Sequence, residues 1–200
     1  MTKTAADYMW FEEDFPDLAE AYCFSLIQGL SPAELMSRLD GQPREPLKGV
    51  AAVVDAAFAR ELEEGDRQLV AITTLGTWTL MIEPKGYLGV TEERILPASA
   101  GARWISHFVN INGVGMFLRA EDQVLCLCFD PVFPEARWGA AADEVLDVMK
   151  RIGFPLGDET VETDLSASAA FALAEHLTGV AITPALLQDT SFDCATVRMR

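Results

Sequence analysis

The sequence has no long apolar run and no segment with the pattern of an export signal. No run approaches the roughly 20 apolar residues that a membrane helix needs. The first fifteen residues, MTKTAADYMWFEEDF, turn acidic where a signal peptide has its apolar core. We therefore expect a cytoplasmic protein that neither spans nor binds a membrane.

Cysteine and histidine are scarce, which bears on disulfides, metals and cofactors. The four cysteines are too few and too scattered for a disulfide scaffold. Cys126 and Cys128 lie two residues apart in an apolar run, so on a strand they would share one face as small buried hydrophobes. Only His107 and His176 could join them as soft metal ligands. We expect no metal site and no cofactor.

Basic residues are also few, and this limits the classes of partner. Fifteen basic residues face 31 acidic ones, and the formal net charge is −16. Such a charge argues against direct contact with nucleic acid or anionic lipid. The charge is uneven: residues 1–66 carry 5 basic and 14 acidic side chains, residues 67–138 carry 6 and 7, and residues 139–200 carry 4 and 10.

The acidic clusters have two interpretations. Like charges on solvated faces keep a protein soluble and monomeric. They can equally form an electrostatic footprint for a basic protein partner. The acidic residues that we select for such a footprint are Glu61, Glu63, Glu64, Asp66, Asp158, Glu159, Glu162 and Asp164.

Length and element order predict a single α+β domain over residues 1–200. Two hundred residues can form one continuous core. Residues 1–66 are expected to be mainly helical, residues 67–130 to form a β meander, and residues 131–200 to be helical again. The expected architecture is a central antiparallel sheet of about five or six strands, with helices from both ends of the chain packed on it.

Individual elements follow from periodicity and from turn residues. Helices are expected over residues 5–14, 31–40, 50–62, 141–152 and 166–178, with a last short helix starting at Thr183. Strands are expected over residues 68–75, 77–83, 102–110, 114–119 and 123–130. Ser31-Pro32 with Glu34 forms a capping box, and Asn112-Gly113 is a tight-turn signal. Residues 20–28 fit strand or helix, with strand favoured, and residues 41–49, which hold two prolines, are expected to form a loop.

No established catalytic motif is present. The sequence has no G-x-G-x-x-G, phosphate-binding loop, H-E-x-x-H, G-x-S-x-G or zinc-spaced cysteine pair. Trp138, in a loop with prolines on its N-terminal side, is either a lid over the core edge or an exposed binding anchor. If a ligand pocket lies between sheet and helices, its candidates are His107, Trp78 and Glu83.

Several short motifs, in this order, resemble a family of uncharacterised, mostly actinobacterial proteins. The matching pieces are Tyr22-Cys23, Gly29-Leu30-Ser31-Pro32 with Glu34, Trp78, Glu83, Gly86-Tyr87 with Gly89, Arg137-Trp138-Gly139, and Leu177-Thr178-Gly179 with Thr183. The resemblance runs from about residue 20 to residue 187, and Tyr87 stands where tryptophan is expected. It implies a shared fold and a bacterial cytosolic setting, suggests an association with toxin-immunity or defence genes, and supplies no catalytic residues.

Two classes of function remain, and a third shares the charge argument of the first. The favoured one is a non-catalytic interaction protein, an inhibitor or immunity protein that binds a basic partner and exists as a monomer or small homo-oligomer. The alternative is a small-ligand binder or enzyme, although the absence of a catalytic motif argues against an enzyme. A DNA mimic would need its carboxylates in two parallel rows.

Overall fold

An antiparallel sheet of eight strands forms the centre of the molecule. The structure is a computed structural model that describes residues 2–61, 66–156 and 165–199. The strands are β1 (Tyr22–Gln28), β2 (Gln42–Lys48), β3 (Arg67–Leu75), β4 (Trp78–Pro84), β5 (Arg103–Val109), β6 (Gly115–Glu121), β7 (Val124–Phe129) and β8 (Ser191–Arg198). Their order across the sheet is β2-β8-β3-β4-β1-β5-β6-β7. The α+β class and the antiparallel sheet agree with the sequence analysis.

The predicted strand number was too low, because two further strands extend one side of the sheet. Pro43 and Pro46 suggested a loop, but they lie in β2, which is the edge strand next to β8. Proline is tolerated on an edge because one side of the strand needs no ladder hydrogen bonds. The sequence analysis assigned no element to residues 191–198, which form β8 between β2 and β3.

The β meander is interrupted by a strand from the N-terminal part of the chain. β1 lies between β4 and β5 and pairs with both. The favoured strand assignment for residues 20–28 is therefore confirmed. The segment that connects β4 to β5 crosses over β1 on one face of the sheet, which we call face two. It contains the 3₁₀ helix Leu88–Val90 and the helix Glu92–Ala98.

Helices cover both faces of the sheet. In chain order they are α1 (Trp10–Asp14), α2 (Pro16–Ala19), α3 (Pro32–Arg38), α4 (Val50–Glu61), α5 (Glu92–Ala98), α6 (Leu146–Ile152), α7 (Ser166–Thr178) and α8 (Pro184–Asp189), with a 3₁₀ helix at Ala5–Tyr8. Face one is covered by the 3₁₀ helix Ala5–Tyr8 and by α1, α2, α4, α6, α7 and α8. Face two is covered by α3, α5 and the 3₁₀ helix Leu88–Val90.

Alternate side chains of β1 pack into two hydrophobic cores, one on each face of the sheet. Tyr22, Phe24 and Leu26 pack on face one, whereas Cys23 and Ile27 pack on face two. All are buried, because both faces of this central strand are covered. This explains why residues 20–28 have no polar alternation and fitted both helix and strand.

The two helix starts predicted from capping residues, at Ser31 and Thr183, are confirmed. The Ser31 side chain accepts the backbone N–H of Glu34, whose carboxylate accepts the N–H of Ser31 at 2.9 Å, so the capping box is present. The Thr183 side chain accepts the N–H of Leu186 at the start of α8. Both helices have proline as their first residue, where the missing N–H has no helical partner to lose.

Candidate functional site

A buried carboxylate fixes the segment that crosses face two. Glu83 is the penultimate residue of β4 and has no exposed surface. Its two carboxylate oxygens accept the backbone N–H groups of Leu88 and Gly89, each at 2.9 Å. Gly86 and Gly89 permit this arrangement, since a Cβ at Gly86 would lie 2.6 Å from the Glu83 side chain and one at Gly89 would collide with Ser25 Oγ.

A small network of hydroxyl and indole groups extends this anchor across β1 and β5. Ser25 Oγ and Ser106 Oγ are 2.8 Å apart. Trp104 Nε1 donates to Ser106 Oγ at 2.7 Å and lies 3.2 Å from the carbonyl oxygen of Gly89. All three side chains are buried. The network therefore joins the crossing segment to the middle of the sheet.

This anchor is enclosed, and its titratable groups are shifted by burial. Burial raises the pKa of Glu83 to about 7, although the N–H groups of Gly89 and Leu88 oppose the shift. Burial also raises the pKa of the neighbouring Cys23 thiol well above its ordinary value. A thiol is nucleophilic as the thiolate, so Cys23 is a packing residue.

His107 lies on the opposite face of the sheet, in an aromatic environment. Its Nε2 is 3.3 Å from Tyr22 Oη, and the Phe171 ring centroid is 5.0 Å from its own. Burial lowers the pKa of His107 to about 3, so the ring is neutral at physiological pH. The residue is a core histidine that does not reach solvent.

The three residues predicted for a ligand pocket do not come together. Trp78 and His107 share face one, but their β1 partners are Gln28 and Phe24, four residues apart, which corresponds to about 13 Å along the strand. Glu83 packs on face two, so the sheet separates it from His107. All three are buried.

Trp138 is held on the outer edge of β7. Its backbone N–H donates to the carbonyl of Cys128 at 2.9 Å, and its carbonyl accepts the Cys128 N–H at 2.7 Å. The chain approaches so closely at Gly139 that a Cβ there would lie 2.5 Å from the Cys126 backbone. The backbone of Trp138 is therefore fixed, yet the side chain is 47% exposed. It is an exposed aromatic and not a lid over the core.

Three side chains of face two, Phe108, Met116 and Trp138, together with the exposed Tyr87 of the segment that crosses this face, make up what we call the aromatic surface. Phe108 and Met116 are opposite each other on β5 and β6 and only partly buried. Trp138 pairs with Cys128, so the two side chains share a face, two strand spacings or about 10 Å from β6. Tyr87 is 49% exposed and precedes the 3₁₀ helix that covers this face.

The charged groups near this surface are predominantly negative. Glu92 opens α5, and its charge adds to the effect of burial, which is the main cause of the raised pKa of the Cys128 thiol. Glu135 is exposed three residues before Trp138. The neighbouring cation, Arg137, is ion-paired with Asp143 at 2.6 Å. Glu135 is therefore close to Trp138 in the chain, and the cation next to Trp138 is neutralised by an ion pair.

Of the acidic residues predicted to bind a partner, Asp66 can be placed relative to Trp138, and it lies far from it. Asp66 is exposed and lies next to β3, six strand spacings or about 29 Å across the sheet from the Trp138 segment. Glu61 ends α4. The Glu61 side chain and the residues Glu63, Glu64, Asp158, Glu159, Glu162 and Asp164 lie outside the described part of the chain.

Other types of site are not seen in the described part of the chain. Within it, no three His, Cys, Asp or Glu side chains are grouped so as to hold a metal ion. The four cysteines are buried and form no disulfide among the described residues. No helix in residues 2–61, 66–156 and 165–199 is long and apolar enough to cross a membrane.

The fold defines an α+β protein whose eight-stranded antiparallel sheet has helices on both faces and carries the aromatic surface. Over residues 1–200 the sequence matches the model of the family of unknown function DUF6461. The chain belongs to this family, in agreement with its resemblance to an uncharacterised family. Comparison with curated proteins and with solved structures gave no match.

Proposed function

We propose that this protein is a non-catalytic interaction protein of the inhibitor or immunity type, which binds a basic protein partner through the aromatic surface. The observation that carries the proposal is Trp138, whose backbone is paired with β7 while nearly half of its side chain faces solvent. Exposed tryptophan and tyrosine side chains on a fixed backbone are typical of the residues that dominate binding energy at interfaces.

Charge supports a basic partner. Glu92 and Glu135 are carboxylates near the aromatic surface, and Arg137 is neutralised by Asp143. A partner arginine or lysine could stack on the Trp138 ring and pair with one of these carboxylates. The net charge of −16 would accelerate the approach of a basic partner.

The alternative function, a small-ligand binder or enzyme with a pocket between sheet and helices, gains no support from the candidate residues. Its three candidate residues are enclosed and lie on both faces of the sheet, so they offer no common cavity. The polar network around Glu83 is satisfied by backbone N–H groups of the crossing segment. That network supports the aromatic surface, because it fixes the segment that carries Tyr87.

The test uses the full chain as bait in a lysate of its source cells, in four forms: wild type, Trp138→Ala, Tyr87→Ala and Phe133→Ala. Phe133 is the matched control, an exposed aromatic outside the aromatic surface. We expect one basic protein that binds the wild type and Phe133→Ala, is released by raised salt, and binds each of the other two variants at least tenfold more weakly.

Carboxylate variants then test the charge. With the purified partner, Glu92→Gln with Glu135→Gln should lower affinity and flatten its salt dependence, whereas Asp147→Asn with Asp189→Asn on face-one helices should do neither. Each variant is first shown to melt as the wild type does. A partner that is acidic, or one that binds Trp138→Ala as tightly as the wild type, would refute the proposal.

A further inference from the structure

Three arginines line one cavity near the edge of the sheet formed by β2, β8 and β3, whereas the aromatic surface lies near the other edge. The cavity has a volume of about 550 Å³ and is lined by Asp40, Gln42, Arg67, Arg94 and Arg198. These residues come from the turn after α3, from β2, β3 and β8, and from α5. The lining carries three cations and one carboxylate, in a chain with twice as many acidic as basic residues.

Two of these arginines are direct cross-strand neighbours. Arg67 on β3 is opposite Arg198 on β8, so their side chains leave the sheet on the same face, which alternation with Leu69 and Cys194 gives as face one. Arg94 comes from α5 on face two, so the cavity that all three line lies at the ends of these two strands. Like charges in this position destabilise a strand pair. The ion pairs of the described residues include neither guanidinium. No ion pair among the described residues therefore offsets the repulsion within this pair.

The third arginine is held in place by backbone carbonyls. Arg94 Nη1 donates to the carbonyl of Arg198 at 2.6 Å, and Nη2 donates to the carbonyl of Leu39 at 3.3 Å. These contacts tie α5 to β8 and to the end of α3. Arg94 consequently presents a fixed positive charge to the cavity.

One donor in this cluster has no acceptor. Arg67 Nη1 is buried, and among the described residues nothing accepts a hydrogen bond from it. A buried N–H group without a partner is unfavourable, and the deficit is larger for a charged group. An anion in the cavity would supply the acceptor and offset the repulsion between Arg67 and Arg198.

We propose that this cavity is a binding site for a small molecule that carries a phosphate group. Guanidinium groups bind phosphate oxygens through paired N–H donors, and three of them suit a dianion better than a single carboxylate. The volume exceeds that of a phosphate ion and lies in the range of small-molecule sites. Asp40 and Gln42 would contact the remainder of the ligand, where hydroxyl or amino groups can donate to the carboxylate.

This site does not depend on the proposed function. The aromatic surface lies around β5, β6 and β7, whereas the arginine cavity lies around β2, β8 and β3. Trp138→Ala should therefore leave phosphate binding unchanged, and failure of one proposal leaves the other standing.

The test is calorimetric titration of the full-length protein with inorganic phosphate, pyrophosphate and adenosine 5′-monophosphate at constant ionic strength. The variants are Arg67→Gln, Arg198→Gln and the control Arg151→Gln, which removes the same charge from an exposed position on α6. We expect saturable binding to the wild type, at least a tenfold loss in the first two variants, and a change of less than twofold in the control.

Thermal melting distinguishes a loss of binding from misfolding of the variants. Without ligand, Arg67→Gln and Arg198→Gln should melt at or above the wild-type temperature, because each removes the repulsion within the pair. With 5 mM pyrophosphate, the wild type and Arg151→Gln should gain melting temperature and the two cavity variants should not. A vesicle arm, using phosphatidylcholine with phosphatidic acid, should show no binding if the source is a soluble phosphate.

Several outcomes would overturn the proposal. They are the absence of saturable binding to the wild type at millimolar pyrophosphate, an equal loss in Arg151→Gln, and an equal response to sulfate or chloride at the same ionic strength. Binding to the vesicles alone would overturn the soluble ligand in favour of a lipid headgroup.

Discussion

The ionisation of Glu83 is coupled to the segment that carries Tyr87 of the aromatic surface. Its carboxylate is buried and holds the backbone of Leu88 and Gly89, the residues that follow Tyr87. Because its pKa rises from 4.5 to about 7 on folding, the native state binds more protons than the unfolded state in this interval. Glu83 therefore favours folding most below pH 4.5, and this contribution is lost as the pH rises to 7.

Replacement of Glu83 by Gln tests this linkage. The free energy of unfolding of the wild type relative to Glu83→Gln should fall by about 3 kcal/mol between pH 4.5 and pH 8, since one pKa unit corresponds to about 1.4 kcal/mol. Denaturant unfolding at a series of pH values measures it. A difference that stays constant over this range would contradict the prediction.

His107 acts in the opposite direction and must be separated from Glu83. Its pKa falls from 6.5 to about 3 on folding, so its contribution to stability is lost as the pH falls from 6.5 towards 3. His107 is present in both Glu83 forms, and its effect cancels in their difference. The comparison therefore isolates the carboxylate.

At the scale of elements, the segment beside β7 protects an edge of the sheet and positions Trp138. Ala140 and Ala141 donate to the carbonyls of Leu125 and Cys126, which continues the pairing made by Trp138. Covering an edge strand prevents it from pairing with another chain. The close approach depends on Gly139, whose φ is +124°.

Alanine at position 139 should disrupt this cover. Gly139→Ala adds a Cβ about 2.5 Å from the Cys126 backbone in a left-handed conformation, and should cost roughly 3 kcal/mol of unfolding free energy and expose Trp138 further. The control is Gly153→Ala, because Gly153 has a similar φ of +113° and open space around it. It should cost only about 1 kcal/mol.

Chemical denaturation and quenching of tryptophan emission measure these effects. Equal destabilisation by Gly139→Ala and Gly153→Ala would show that φ strain and not the approach to β7 is responsible. Size-exclusion chromatography of Gly139→Ala shows whether this variant self-associates through the uncovered edge of β7.

Element assignment from sequence succeeded where local chemistry decides it. Ser31 and Thr183 initiate helices through hydrogen bonds to residues three positions away, and Gly113 has the positive φ that its turn requires. β2 was missed because Pro43 and Pro46 forbid an interior strand and permit an edge strand, and edge position is a property of the assembled sheet.

At the scale of the whole molecule, a net charge of −16 on 200 residues opposes compaction. Salt screens this repulsion, with a Debye length of about 10 Å at 0.1 M and about 30 Å at 0.01 M. We expect the melting temperature to rise by several degrees between 10 mM and 300 mM sodium chloride at pH 7.5. Calorimetry at each salt concentration measures the melting temperature, with an uncharged osmolyte as the control. A melting temperature that stays constant or falls as salt is added would contradict the prediction.

The sites were only partly visible in the sequence. Trp138 was identified as a possible exposed anchor because it lies in a loop with prolines on its N-terminal side and beside a glycine, and the structure exposes it. Phe108 and Met116 were not identified, since an apolar residue within a strand ordinarily belongs to the core. Arg67, Arg94 and Arg198 are scattered along the chain, and only the pairing of β3 with β8 brings two of them together.

The sequence by itself determined the α+β class, the helix starts at Ser31 and Thr183, the central strands and the strongly negative charge, because these depend on residues close in the chain or on composition. The tertiary structure alone decided that β1 inserts between β4 and β5, that β8 joins β2 to β3, and which apolar side chains stay in solvent. The pairing of β8 with β2 and β3 joins residues more than a hundred positions apart, and no local pattern specifies the partner. The arginine cavity arises from this pairing, whereas the aromatic surface combines the local pairs Phe108–Met116 and Cys128–Trp138 with the segment that crosses over β1.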